Sequence, residues 1–372
     1  MMRINKDYFS RILFALIVIC CSLLGSYFIS KSVKPGETTN TINIYTVDAI
    51  NYSSADEDDM ASIISTIKDT VVNITSTSLT ATSAGSGVII GEGENNYYIV
   101  TNHHVIDGFV NFEVELQNGE KYQASLVGSD PMTDLAVLSI EAEELPVAQI
   151  LRNSDSLLVG ETVIAIGNPL GKLGGTVSKG IISAKDRDIS VDGRTMRLLQ
   201  TDSAVNSGNS GGGLFNASGI LIGIVNAKAS SVGVEGLAFA IPSKIVYEIT
   251  TELMTTSGSG NYGYVHGRTT VGATFADGIY SSGFFSPSYQ IVYVQSINTN
   301  GSAYLAGLRR DDIITAVTVA GTKTTINNAS QIDEIIEGLE IGDEIIFTVR
   351  RGSISAQEKD YSVVCEQYIY TI

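Results

Sequence analysis

"TDSAVNSGNSGGGLFN", residues 201–216, holds four glycines, three serines and three asparagines, and its right-hand side turns apolar. Glycine and asparagine favour turns, so the stretch reads as a loop, and its centre is Ser210. A serine hydroxyl is a weak nucleophile at neutral pH. It needs a base, normally histidine, and a carboxylate to orient that base. The oxyanion that forms on an attacked carbonyl needs donors, often backbone N–H groups. A glycine-rich loop supplies them because glycine lets the backbone approach closely and take unusual dihedrals. "GNSGG" (208–212) fits this description. Ser210 is the candidate nucleophile, the N–H groups of Gly208 and Ser210 are candidate oxyanion donors, and Asn209 N–H is a candidate helper.

A serine in such a loop is often only a turn residue, so the partners decide. The chain has three histidines, His103, His104 and His266, and "TNHHV" (101–105) carries two of them at the end of a strand-like run. "DPMTDLAVL" (130–138) places Asp134 at the start of an apolar strand, where a carboxylate can sit half-buried facing an imidazole. The order His, Asp, Ser is one of those known for this chemistry. Asp130, before Pro131, reads as a turn residue, and His266 as a surface or linker residue.

Working outward, short strand-like runs surround these motifs: 87–90, 97–101, 112–116, 135–140, 162–167, 180–183, 219–227 and 236–242. Turn residues separate them at the spacing of a β-barrel or sandwich. A short helical pattern begins near residue 61 and another spans 243–253. "TTSGSGNYG" (255–263) reads as a linker. Beyond it lies a small α+β domain of ordinary size, with strands in "RTTVGATF", "IVYVQSI" and "DEIIFTVRR". It also holds a short helix in "GSAYLAGLRRDDIITAV" and an amphipathic helix in "SQIDEIIEGL" with Ser330 as its expected N-cap.

Residues 12–29 carry no charge and follow Arg3, Lys6 and Arg11. The pattern predicts an uncleaved signal anchor with residues 1–11 inside and the body outside. Residues 30–60, rich in Ser, Thr and Asn and ending in "DEDD", read as a flexible stalk. The net charge is −17, and no basic patch follows the N-terminus, which argues against nucleic acid as a partner. Of three cysteines only Cys365 lies in the folded body, so no intrachain disulfide framework is expected there. No Cys/His spacing suggests a metal site, and the chemistry implies no cofactor.

"GSGVII…YIVTNHHV", "DLAVL", "VIAIGNPLG…TVSKGIIS", "QTDSAVNSGNSGGGL" and "LAFAIPS" follow one another in this chain. In wording and order these blocks resemble the HtrA/Deg serine proteases, trypsin-like domains followed by PDZ domains, over about residues 61–365. The resemblance implies a mainly β fold: a chymotrypsin-like double β-barrel (61–254), a linker (255–263) and a small α+β PDZ domain (264–366), behind an N-terminal transmembrane helix. It selects His104 as the base, since His103 occupies the variable slot of the family's T-N-x-H-V. It makes Asp134 the orienting acid. It places Thr201, Asp202 and Val205 by the primary substrate pocket, with Ile224 to Ala227, Asn226 included, as the opposite wall. In the PDZ domain the carboxylate-binding loop falls at "TTVGA" (269–273), where the N–H groups of Val271, Gly272 and Ala273 would capture a peptide C-terminus.

The resemblance further implies a membrane-anchored, extracytoplasmic endopeptidase for unfolded or damaged proteins, assembled as a homotrimer. Where the family often has proline, this chain has Ser207 and Gly213, which is expected to leave the Ser210 loop more mobile. That departure sustains an alternative, a chaperone-like or peptide-binding protein with little turnover.

Overall fold

The computed structural model describes residues 42–48, 57–167, 175–191, 194–206, 208–229, 236–258, 262–281 and 288–370. From Ile42 on, the chain forms one compact unit. The expected anchor, 12–29, lies outside the described residues. Among those described, no helix is long and apolar enough to cross a membrane.

The run "TVIAIG" shows how the sequence builds the fold. Val163 and Ala165 pack into one core cluster, while Ile164 and Ile166 pack into another. The strand Thr162–Gly167 is buried on both faces, so it reads as a continuous apolar run rather than an alternation. Asn96–Thr101 behaves the same way: Tyr97 and Ile99 face one cluster, Tyr98 and Val100 the other. The shared cluster is the seam between two closed barrels.

The first barrel runs through Val71–Thr77, Thr82–Glu92, Asn96–Thr101, Asn111–Glu115, Lys121–Asp130 and Leu135–Glu141. It closes because Thr82–Glu92 pairs with both Val71–Thr77 and Asn96–Thr101. The second runs through Thr162–Gly167, Thr176–Val191, Arg194–Thr201, Gly213–Asn216, Leu221–Val225 and Ala238–Pro242. There Gly213–Asn216 pairs with both Thr162–Gly167 and Leu221–Val225. Closure removes the free sheet edges of both barrels. The helix Ser243–Thr256 covers the seam with Val246, Ile249, Leu253 and Met254, a helical spacing. The mainly β, double-barrel expectation matches this architecture.

Two sequence readings change. Residues 43–47 and 57–60 are not stalk: Asn43–Ile44 pairs with the first barrel, Thr46–Val47 pairs in parallel with Ile150–Leu151 beside the second, and the helix Glu57–Ile67 begins within the acidic run. Strands this short leave almost no periodicity to read. The helix expected from Ser330 is Ala329–Glu337, capped by Asn328, whose side chain accepts from Gln331 N at 3.0 Å.

The C-terminal domain is a sheet in the order Ala273–Ser281, Ser288–Ile297, Ile313–Val319, Glu344–Arg350, Lys359–Val364, with helices Ser302–Ala306 and Ala329–Glu337. Ala273–Ser281 is an edge strand. At its heart Asp312, fully buried, accepts from Arg351 Nε at 2.6 Å, Arg351 Nη2 at 2.7 Å and Arg309 N–H at 2.8 Å. Arg351→Met keeps the apolar stem and strands the carboxylate. Breaking a buried pair this way costs about 3–5 kcal/mol; water reaching half-exposed Arg351 reduces this to about 2–3 kcal/mol. Urea unfolding followed by circular dichroism should show that loss.

Candidate active site

The strand Asn96–Thr101 delivers a four-residue helical turn, His103–Ile106, at the seam. The loop before Leu135–Glu141 delivers Asp134 to the same place. Asp134 has φ +53, a left-handed conformation uncommon outside glycine. Its backbone carbonyl takes His103 N–H at 3.0 Å and Asn102 Nδ2 at 3.0 Å, which holds that conformation. Its carboxylate then faces His104. Oδ1 accepts His104 N–H at 2.9 Å, and Oδ2 lies 2.7 Å from His104 Nδ1. An ionised carboxylate can only accept, so Nδ1 carries the proton and Nε2 keeps its lone pair. The imidazole is 21% exposed and the carboxylate 10%, so one edge of the ring meets solvent while its partner is sheltered.

The second barrel supplies the loop around Ser210. Ser86, from the first barrel, clamps it: Ser86 N–H donates to Ser210 O at 2.8 Å, and Ser86 Oγ to Gly208 O at 2.8 Å. Asn209 N–H donates to Asn206 O at 3.0 Å, Gly211 N–H to Val225 O at 3.0 Å, and Gly212 N–H to Asn209 O at 2.9 Å. Asn209 N–H is therefore committed inside the loop, unlike its expected helper role. Among the described residues, the N–H groups of Gly208 and Ser210 carry no such bond. Ser210 itself is 7% exposed, and among the described residues no hydrogen bond joins its Oγ to His104.

The glycines have a steric cause. Gly211 has φ +82, and a Cβ there would overlap the Ser86 carbonyl oxygen and Thr101 Oγ1. Gly211→Ala is expected to cost on the order of 3 kcal/mol or more, from overpacking together with left-handed strain, and to displace Ser210. A lowered melting temperature together with lost activity would check this. Position 213, expected to loosen the loop, is buried and paired with both Ile166 and Ile224. Ser207 lies outside the described residues.

The expected pocket wall is rearranged. Val205 is half-buried at the rim of the second barrel's core. Ile224 is fully buried in the seam and faces core rather than a pocket. Asn226 donates its Nδ2 to Asp134 Oδ2 at 2.9 Å, while its Oδ1 takes Ala229 N–H at 3.0 Å. It is a third member of the His104–Asp134 cluster, contributed across the seam. The one signal for it in the sequence is an amide closing the apolar run "LIGIVNA".

In the C-terminal domain Val271 is fully buried, and its carbonyl accepts Ala303 N–H at 2.9 Å. Gly272, at φ +71, donates its N–H to Thr270 Oγ1 at 3.0 Å, and Ala273 opens the edge strand. His266 lies on the surface with Glu252 Oε2 3.3 Å from Nδ1. A cleft of about 1310 Å³ runs from His104 and Asp134 to Thr270, Gly272 and Ala273. Among the described residues no cluster of His, Cys, Asp and Glu could hold a metal ion.

Residues 85–224 match the trypsin-like peptidase domain family. The chain is similar to the serine protease Do-like HtrB of Bacillus subtilis, 39% identical over 277 residues, covering 72% of this chain and 59% of that protein. It is 35% identical over 296 residues to the serine protease Do-like HtrA of Lactococcus lactis subsp. cremoris, covering 75% of this chain and 70% of that protein. Its structure resembles that of the HtrA-type protease AlgW with tripeptide, with TM-score 0.50 and 29% identity, covering 83% of this chain and 97% of that one. Against the first of these relatives the chain spans about three-fifths of the length.

Proposed function

Because this chain belongs to the HtrA family of trypsin-like serine proteases, we propose that it is an extracytoplasmic serine endopeptidase acting on unfolded or damaged proteins. The observation that carries this reading is the imidazole of His104, locked by Asp134 at 2.7 Å beside a serine loop in which two N–H groups are uncommitted among the described residues.

In the proposed mechanism a peptide settles across the seam, and a turn of the Ser210 side chain brings Oγ to Nε2 of His104. Oγ attacks the scissile carbonyl carbon while its proton passes to Nε2. Gly208 and Ser210 N–H groups hold the oxyanion. The C–N bond breaks, the amine leaves with the proton from His104, and an acyl-enzyme remains on Ser210. Water, deprotonated by His104, adds to the acyl carbon, and the acid leaves as Oγ recovers its proton. Asp134 stabilises the imidazolium in both halves, and Asn226 keeps the carboxylate aimed. Val205 supports an aliphatic pocket rim.

The edge strand Ala273–Ser281, flanked by the helix Ala329–Glu337, supports PDZ-type recognition, in which a peptide C-terminus adds as a further strand and sets its carboxylate near Val271 to Ala273. The charged-then-apolar start of the sequence supports a single-pass membrane anchor, and the family resemblance supports a homotrimer.

The test pairs two assays on the full chain. Reduced casein should be cut, and a fluorophosphonate should label one residue, located by mass spectrometry at Ser210. Casein that stays intact, together with a chain that takes no label, would move the reading to a holding or peptide-binding role.

A further inference from the structure

Tyr370 lies more than a hundred residues beyond the protease barrels, yet it is 8% exposed and sits in the first barrel's core cluster with Val105, Ile106 and Phe112. The route it takes is specific. Glu366–Gln367 leaves the C-terminal sheet and pairs with Thr269–Thr270. Gln367 Nε2 donates to Val265 O at 2.8 Å and Tyr368 N–H to Arg268 O at 2.7 Å, so the tail is laced to the segment entering that domain. Tyr370 then meets the turn that carries the two histidines.

There its hydroxyl donates to Asp107 Oδ1 at 2.9 Å, and its ring meets the His103 imidazole edge-on, with centroids 5.0 Å apart and planes at 88°. Asp107 Oδ1 also lies 3.7 Å from His103 Nε2, and His103 Nδ1 lies 2.8 Å from Ser129 Oγ. Burial, and then the neighbouring Asp107 carboxylate, push the Tyr370 phenol well above its ordinary range, so it stays a donor. His103 is thus held by a strand of its own barrel, by its own turn and by the tail. His104 follows one peptide later.

A four-residue turn cannot sustain itself, because helix nucleation is unfavourable and few hydrogen bonds repay it. Its geometry has to come from what packs on it. The same entering segment also braces the other partner: Arg268 Nη2 donates to buried Asp130 Oδ2 at 3.1 Å, and Asp130 takes Thr133 Oγ1 at 2.8 Å, directly before Asp134. Both halves of the His104–Asp134 pair therefore rest on contacts from beyond the barrels.

We infer that Tyr370 is a positioning residue for the His104 base, acting through His103 and Asp107, so that the chain's tail sets how well the proteolytic site is assembled. This rests on the protease reading above. It makes docking of the C-terminal domain a condition of full turnover.

The experiment uses the full chain and the variants Tyr370→Ala and Tyr370→Phe. A small misplacement of a catalytic group can cost up to ~100-fold, so kcat on a peptide substrate should fall about 10- to 100-fold in Tyr370→Ala. Tyr370→Phe keeps the ring and should lose only about 3- to 10-fold, the share of the hydroxyl's hydrogen bond. KM should stay within about twofold in both, since the ring packs in the first barrel's core and the hydroxyl is spent on Asp107, although Tyr370 also lines the cleft. The fluorophosphonate labelling rate at Ser210 should fall with kcat at a temperature where both variants are folded by circular dichroism.

A second readout does not require activity: the downfield proton resonance of His104 Nδ1–H against Asp134 should broaden or shift in Tyr370→Ala and largely persist in Tyr370→Phe. Unchanged kcat and an unchanged resonance in Tyr370→Ala would overturn the inference. So would a rise in kcat, which would make the tail an inhibitor. If Tyr370→Ala does not fold, a Tyr370→Phe variant indistinguishable from the parent overturns it. A parent chain that takes no label, with the resonance still broadened or shifted in Tyr370→Ala, would sink the protease reading and leave the positioning contact standing.

Discussion

Ser210→Ala is expected to lower kcat/KM for peptide hydrolysis by on the order of 10⁶-fold, the scale seen when the nucleophile of such a unit is removed. The cause is chemical, since in the proposed mechanism the acyl bond forms on Ser210 Oγ. The fold should not suffer. The loop is held through the Ser210 carbonyl, which accepts Ser86 N–H at 2.8 Å, and through the glycines that follow, and alanine preserves all of these contacts. The melting temperature should therefore stay within a few degrees while casein cleavage and fluorophosphonate labelling vanish. The residue left in place should still bind substrate, with KM or a peptide Kd close to the parent's. Equal cleavage by both proteins, measured on samples purified through the same steps, would sink the assignment of Ser210.

Asp134→Asn is expected to lower kcat by about 10⁴-fold at neutral pH, with KM nearly unchanged. Oδ1 and Oδ2 of Asp134 take His104 N–H, His104 Nδ1–H and Asn226 Nδ2. An amide offers one oxygen and one NH₂ group in their place. If its NH₂ faces His104, Nδ1 must accept and the ring's proton moves to Nε2, so the base faces Ser210 in the wrong tautomer. The imidazolium also loses its counter-charge. Asparagine tolerates the φ of +53 found here better than most residues, so the backbone should keep its shape and thermal stability should change little. A fall of less than tenfold, or a fall carried entirely by KM, would show that the carboxylate does not orient the base.

The strands that anchor the site were legible because each is apolar on both faces. Thr162–Gly167, Asn96–Thr101 and Leu135–Glu141 lie between a barrel interior and the seam, and such strands carry little polar residue to blur their bounds. Lys121–Asp130 and Arg194–Thr201 mix polar and apolar residues, and their identity as strands comes from the neighbours they pair with. The pairs at 43–47 are too short for any period to register.

The glycine-rich loop at Ser210, the histidine turn and Asp134 could be picked out from residue type and spacing, because the proposed chemistry permits few alternatives and glycine is required wherever a Cβ would strike the backbone. The choice of which side chain faces which partner could not. Ile224 and Asn226 sit two residues apart at one strand end, yet one is core and the other grips Asp134 across the seam. Asn209 commits its N–H within the loop, and Tyr370 reaches His103 from 267 positions away in the sequence. Local sequence carries the period of an element and the chemistry of a motif. Contacts between distant segments depend on how two closed barrels and a third domain pack, and that is settled by the free energy of the whole fold.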